Sequence, residues 1–418
     1  MITLDTKIKN YKSLQTVVAL ILLLLLLVGI CFSPHLAFWT TIALLLTKYG
    51  NIKVTRNGIA IISAIMIIFT VTSREIGVSL SDDLTQIYMP IVQSQIEGFG
   101  IFGTWMGVEF GYGAVINILL NIVPKPSPRI VLFYSVTLST FLYLLWMIRF
   151  ALPRISTEHR GLILAISLSF IQVGFLSQFL RQEIATPILL MSIFLWEENK
   201  KRSSWLLLLT ATIFHTSSLL IFVFYFIFSR CKIRYIIVGA CCFFATIGLL
   251  IFRPSVLVSL FDLLHLSFLG NKLVYYETAV SNSISDSLKG GKFFFIILFM
   301  IIIRWKVLTK NINEFSNSDF FSKLVKFSFW GCIYTIPLLL LPNASRFFLV
   351  IPGFLFPICI YAIFKRYMSF IHVFFIFFIL ISILVPGRLN GGVNEGFNIW
   401  IYYPWINEQL FYYLNWSY

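Results

Sequence analysis

Between Thr72 and Tyr112 the chain carries Arg74, Glu75, Asp82, Asp83, Glu97 and Glu109. The whole sequence has only 17 acidic residues in 418, so this stretch gathers carboxylates beside an arginine. Further along come Arg181-Gln182-Glu183, His215 and Arg346, and Tyr88 stands between the two acidic groups. A carboxylate or a histidine can take the proton of an attacking hydroxyl. Guanidinium groups bind phosphate through paired N–H donors. The same residues also suit plainer work. An arginine can tie loops together through Glu75 or Glu183, Asp82 can cap a helix after Ser79 and Ser81, and His215 on an apolar segment can donate to a carbonyl. A polar stretch of this kind is either a site or a solvated connector.

The surrounding sequence decides where such a stretch sits. Hydrophobic residues make up 59% of the chain and charged ones 12%, with a mean hydropathy of +0.89. Soluble domains carry about 25% charged residues, so the composition predicts an all-α polytopic membrane protein. The net charge of +15 then needs no nucleic acid, because basic residues collect in short cytoplasmic loops. Cys31, Cys231, Cys241, Cys242, Cys332 and Cys359 lie in or beside apolar runs without metal-type spacing, so neither a zinc site nor a disulfide framework is expected. No cofactor is implied. Lys7, Lys9 and Lys12 before Val17 to Ile30 resemble a signal sequence, but no small-residue cleavage site follows, which makes this a retained first helix.

Taken in order, apolar runs Thr16–Cys31 and His35–Thr47 form a hairpin turning at Ser33-Pro34, with lysines at both outer ends. Ile59–Val71 delivers the Arg74 loop to the external face. Leu84, Ile87 and Ile91, and then Val115, Ile118, Leu119 and Ile122, fall on helical faces too short and polar to span comfortably, and read as surface helices. Val131–Ile148 then runs inward to Arg149, Arg154 and Arg160. Leu162–Phe179 runs out to Arg181-Gln182-Glu183, and Ile184–Trp196 returns to Lys200-Lys201-Arg202. Trp205–Ser229, interrupted at His215-Thr216-Ser217-Ser218, reads as a hairpin of two half-length helices. Ile236–Phe252, Phe293–Ile303, Val325–Leu341, Phe347–Ile363 and Phe370–Pro386 complete the spans. The expectation is a single integral membrane domain over 1–418 with roughly 11–13 transmembrane segments. External loops cover 73–128 and 253–292, and an aromatic external tail covers 387–418.

This topology alone places Arg74, Asp82, Asp83, Tyr88, Glu109, Arg181, Gln182, Glu183, His215 and Arg346 on the external face. Arg181 with Arg74 or Arg346 would converge on an anionic ligand. Glu109 stands among Trp105, Phe110 and Tyr112 with no basic neighbour in sequence, where desolvation would raise its proton affinity. His215 has an ordinary pKa of about 6.5. Glu109 is therefore the first candidate base and His215 the second, with Asp82 and Asp83 behind them.

The order Arg74-x-x-Gly77, Asp82/Asp83, Tyr88, then Glu109-Phe-Gly-Tyr112, resembles the EpsG family of exopolysaccharide polymerases, which belongs with the Wzy-type O-antigen and capsule polymerases. Phe179-Leu-Arg181-Gln182-Glu183-Ile-Ala185 is similar to that family's arginine-glutamine element, Ile213-Phe214-His215-Thr216-Ser217 to its histidine element, and the Arg346 segment to its late arginine helix. The wider spacing from Gly77 to the acids leaves open whether Asp82, Asp83 or neither is the equivalent carboxylate. The resemblance implies an all-membrane, metal-independent glycosyltransferase in the bacterial plasma membrane. Its substrate would be a polyprenyl-diphosphate-linked oligosaccharide, joined to another repeat unit at the outer face, with a chain-length regulator as a possible protein partner. A flippase for the same lipids would place its charges inside the spans and show repeat symmetry. An O-antigen ligase would carry its large loop elsewhere.

Overall fold

The computed structural model describes residues 17–252 except 19, 75, 78–81, 103–108, 172 and 231–232, together with 319–336, 346–384 and a few isolated positions. All regular structure among them is helical. Among the described residues, three helices are long and apolar enough to cross a membrane: Lys53–Thr72, Pro128–Arg154 and Gly353–Leu384. Apart from isolated positions, the expected loop 253–292 and the tail 387–418 lie outside the described residues.

Backbone contacts divide the chain into two compact units, 1–215 with 364–418, and 216–363. The first opens with α1 (Leu20–Phe32) and α2 (Pro34–Leu45). Their hairpin turns where expected. Pro34 takes the first helical position, which needs no N–H, and Ser33 caps it by accepting from the Leu36 N–H at 3.2 Å. A short turn, Lys48–Asn51, leads to α3 (Lys53–Thr72), which starts six residues before the expected span because its polar first turn is itself helical. A π-type turn at Leu84–Tyr88 runs into α4 (Met89–Ile96), and α5 (Gly111–Ile122) and α6 (Pro128–Trp146) follow.

The expected single span over 162–179 is two helices, α7 (Arg160–Ser169) and α8 (Val173–Gln178). The interruption lets α8 turn Ser177 and Gln178 toward the segment after α3, where both make hydrogen bonds. Helix α9 (Leu180–Glu197) begins earlier than expected, so Arg181, Gln182 and Glu183 occupy its first turn rather than a loop. It pairs with α10 (Lys201–Phe214). Ser192 Oγ lies 2.7 Å from the Ser204 carbonyl, and Ser204 Oγ donates back to the Ser192 carbonyl at 2.9 Å. Small hydroxyl residues let two apolar helices approach closely and still satisfy their polar atoms.

The second unit contains α11 (Ser217–Arg230), α12 (Ile233–Phe252), α13 (Asp319–Thr335) and most of α14 (Arg346–Phe364). The interruption at His215-Thr216 between α10 and α11 falls where the sequence placed it. Here α11 packs on α13 through Tyr225 and Phe327, whose rings meet edge to face at 5.6 Å. Tyr334 donates to the Ile236 carbonyl at 2.9 Å. The last helix, α15 (Met368–Leu384), returns to the first unit, where Phe378 meets Trp39 of α2 at 6.0 Å.

Helix direction sorts the charges of the first unit into two ends. Lys53, Arg154, Arg160, Glu198 and Lys201 gather at one, with Arg154 paired to Glu198. The end of α3 and the starts of α5, α6 and α9 gather at the other. At the basic end a Cβ added to Gly161 would stand 2.3 Å from the Leu45 carbonyl and 3.2 Å from Gly50 Cα. Backbone cannot yield there as a side chain could, so Gly161→Ala should cost about 1–3 kcal/mol. Gly29→Ala, whose nearest neighbour is Ala37 Cβ at 3.9 Å, should be tolerated. Thermal melting of the two variants in detergent checks this, and an unchanged Gly161→Ala midpoint would refute the packing.

Candidate functional site

Two layers of polar side chains occupy the end where α3 stops. In the inner layer Arg74 is fully buried and grips Asp82 with both terminal nitrogens. Nη2 lies 2.8 Å from Oδ1 and Nη1 lies 3.1 Å from Oδ2. Asp82 also accepts from the Gly77 and Leu84 N–H groups, both at 3.0 Å. Gly77 adopts a φ of +77°, a conformation that glycine reaches without strain. Arg129, two residues into α6, donates to the carbonyls of Thr72 and Arg74, the latter at 3.0 Å. The Asp83 N–H donates to Gln178 Oε1 at 2.9 Å. Burial opposes the charge on Asp82, but Arg74 and the two N–H groups outweigh it and hold the carboxyl below its usual range.

In the outer layer Tyr88, Arg181, Glu109 and His215 come together. The turn Leu84–Tyr88 buries the Tyr88 ring, which stacks obliquely on Tyr112 at 4.9 Å. Its hydroxyl receives the Arg181 N–H at 3.4 Å, and the Arg181 guanidinium carbon lies 6.0 Å from its ring centroid. Arg181 Nη1 is ion-paired with Glu109 Oε2, and Glu109 Oε1 lies 4.0 Å from His215 Nδ1. These side chains keep some exposure, 13% for Arg181, 11% for Glu109 and 26% for His215. Burial pushes the Tyr88 phenol up; the charge of Asp83 adds to this and that of Arg181 opposes it. Burial also pushes the Tyr112 phenol up, while its hydroxyl shares a 3.0 Å hydrogen bond with Ser135.

Glu109 and His215 meet because α5 starts against the end of α10. A Cβ on Gly111 would stand 2.9 Å from Ile213 Cγ2 and 3.1 Å from the Ile213 carbonyl. The sequence elements Glu109-Phe-Gly and Ile213-Phe-His thus form one joint.

Several expectations change here. Arg74, expected to present its guanidinium to an anion, is enclosed and committed to Asp82. Asp82 has its oxygens filled by Arg74 and backbone donors, which suits a brace and the expected helix cap rather than a base. Asp83, nine-tenths buried, is the acid whose charge reaches Tyr88 and Arg181. Glu109 does not lack basic neighbours. Arg181 and His215 reach it from distant parts of the chain, and the Arg181 guanidinium pairs with its carboxylate. Gln182 and Glu183 are buried in the first turn of α9. Arg346 opens α14 and belongs to the second unit. Arg129 and Gln178 escaped notice in the sequence. Arg129 had left one signal, a cation at the end of the chain's first long loop that was expected outside against the positive-inside rule.

The family model described as EpsG family matches residues 60–388, from within α3 through the end of α15. The chain belongs to the EpsG family. Both layers of this site lie inside the matched region. No curated protein and no solved structure matches the chain. For this EpsG-family protein the two layers predict different responses to mutation. Removing one member of a buried pair strands the other charge, so Asp82→Asn should cost about 3–5 kcal/mol, whereas the double change Arg74→Met with Asp82→Leu should recover much of it. Because the folded-state pKa of Asp82 is depressed, its stabilisation is present above about pH 4 and fades as pH falls further. Melting of the three proteins across pH 3–7 tests this. A double variant less stable than Asp82→Asn would reject the brace.

Proposed function

We propose that this EpsG-family protein is a polysaccharide polymerase of the bacterial plasma membrane. In this reading it joins polyprenyl-diphosphate-linked oligosaccharide units at the outer face. The observation that carries the reading is the outer layer, where Arg181, partly exposed, stands between Glu109 and Tyr88 with His215 behind Glu109. Membership of the family supports the polymerase class. The basic end with Lys53, Arg154, Arg160 and Lys201 faces the cytoplasm under the positive-inside rule, which puts Arg181, Glu109 and His215 on the external side.

The transfer forms a bond from an acceptor hydroxyl oxygen to an anomeric carbon and breaks the bond from that carbon to the diphosphate. Negative charge grows on the departing diphosphate, and Arg181 is placed to hold it through paired donors. The hydroxyl proton must leave, and Glu109 is placed to accept it once the diphosphate has taken over Arg181. His215, 4.0 Å from Glu109, then orients the carboxylate or the acceptor. Asp83 and Tyr88 position Arg181. Arg74 and Arg346 are not assigned to the diphosphate, the former because its donors are used internally.

Arg181→Lys keeps the charge and loses the planar fork, so polymerisation should fall by about 100-fold or more at unchanged protein levels. Glu109→Gln keeps the shape and should abolish long chains while single-repeat product persists. Gel analysis of chain length in a strain lacking the native gene reads both. Wild-type chain lengths from Arg181→Lys would sink the phosphate assignment, and from Glu109→Gln the base assignment.

A further inference from the structure

At the other end of the first unit, about 24 Å from Thr72 along the axis of α3 at 1.5 Å per residue, lies an arginine that is buried beside another arginine. Arg56 sits in the first turn of α3 and is 5% exposed. Among the described residues no hydrogen bond or ion pair reaches its side chain, and its Nε is wholly enclosed. The charge that acts on it is the like-signed one of Arg160. Three other cations of this end have partners. Arg154 has Glu198 and the Phe150 carbonyl, Arg160 has the carbonyls of Ile155 at 2.9 Å and Pro153 at 3.1 Å, and Lys201 has the Trp196 carbonyl at 2.9 Å. The nearby acids are spent elsewhere. Glu198 lies between Arg154 and Lys200, and Glu158 is exposed beside His159.

Two further features mark the same turn. The Ile52 N-cap of α3 offers no side-chain acceptor, which leaves the first N–H groups of a 20-residue helix without a side-chain cap. Thr55 Oγ1, beside Arg56 and fully enclosed, also has no partner. A buried guanidinium without a counter-charge costs several kcal/mol, and an uncapped helix start adds a positive field and free donors. Both deficits are met by one anion.

We propose that the start of α3, with Arg56 and Arg160, is a phosphate-binding site separate from the Arg181 cluster. Its ligand is a phosphate group, carried either by an anionic phospholipid headgroup or by free phosphate. Helix α7 contributes Arg160 at its first position, and the contact of Gly161 with the Leu45 and Gly50 backbone fixes α7 against the turn before α3. Occupancy would tie α3, α7 and that turn together at the end opposite the transfer site.

The full chain is melted in nanodiscs of phosphatidylcholine alone, in nanodiscs with phosphatidylglycerol as about a fifth of the lipid, and separately in phosphatidylcholine with inorganic phosphate. A ligand that binds only the folded state raises the melting temperature. The wild-type protein should gain stability from at least one of the two. A gain from phosphatidylglycerol alone identifies the headgroup, and a gain from inorganic phosphate identifies the free ion as sufficient. Arg56→Gln should lose the gain, whereas Lys48→Gln, at an exposed position, should keep it. Arg56→Lys, which keeps the charge without the fork, should show a weakened gain, and it serves if Arg56→Gln does not fold. No gain for the wild-type protein, or an equal gain for the Arg56 variants, overturns the proposal.

Discussion

A guanidinium and a carboxylate without exposed surface, Arg74 and Asp82, meet through two hydrogen bonds just beyond the end of α3. Desolvating two charges is expensive and is offset only when geometry is good and the remaining valences are filled. Here they are filled. Asp82 takes two backbone donors, and Arg74 points a third contact, at 3.5 Å, toward the Ser177 carbonyl. Arg129 binds the carbonyls on either side of the turn. A connector that would otherwise wander is thereby fixed to α6 and α8 at once. Everything that follows it, from the turn at Leu84 to Tyr88 and its contact with Arg181, inherits that position.

Two arginines of the same kind therefore have opposite fates. Arg74 is sealed and its fork is closed by an internal carboxylate. Arg181 has an ion pair too, but with a residue that retains exposure and is itself flanked by His215. An internal carboxylate on a partly open guanidinium can be exchanged for an incoming anion at little rearrangement cost, because the exchange replaces one charge-assisted contact with another. The sealed pair cannot make this exchange without unfolding its turn.

The sequence made the hairpin at Ser33-Pro34, the break at His215 and the short helices after Leu84 and Gly111 legible, because each is signalled locally by a cap, a proline, a polar insertion or apolar spacing. It misjudged 162–179, which is two helices, the second carrying Ser177 and Gln178 to contacts with residues about a hundred positions earlier. It also misjudged Glu109. Local sequence shows only aromatic neighbours, while the neighbours that set its chemistry arrive through helix packing at Gly111 and Ile213. The Arg74–Asp82 brace failed for the same reason. Both residues were visible as charges, but whether a charge faces a ligand or another charge depends on burial, and burial is a property of the assembled helices.

The field at the outer layer has a second source besides Arg181. Helices α5 and α9 both begin there, and neither Phe110 nor Phe179 at their N-caps supplies a side-chain acceptor. An uncapped helix start carries a partial positive charge of about half a unit within its first turn. Two such starts flank Glu109 and Arg181, which stand just before and just inside them. The carboxylates of Glu109 and Asp83, and of Glu183 in the first turn of α9, oppose this field. Glycine at 111 permits the close approach of α5 to α10, and the Tyr88 hydroxyl takes the Arg181 N–H that Phe179 leaves without a side-chain cap.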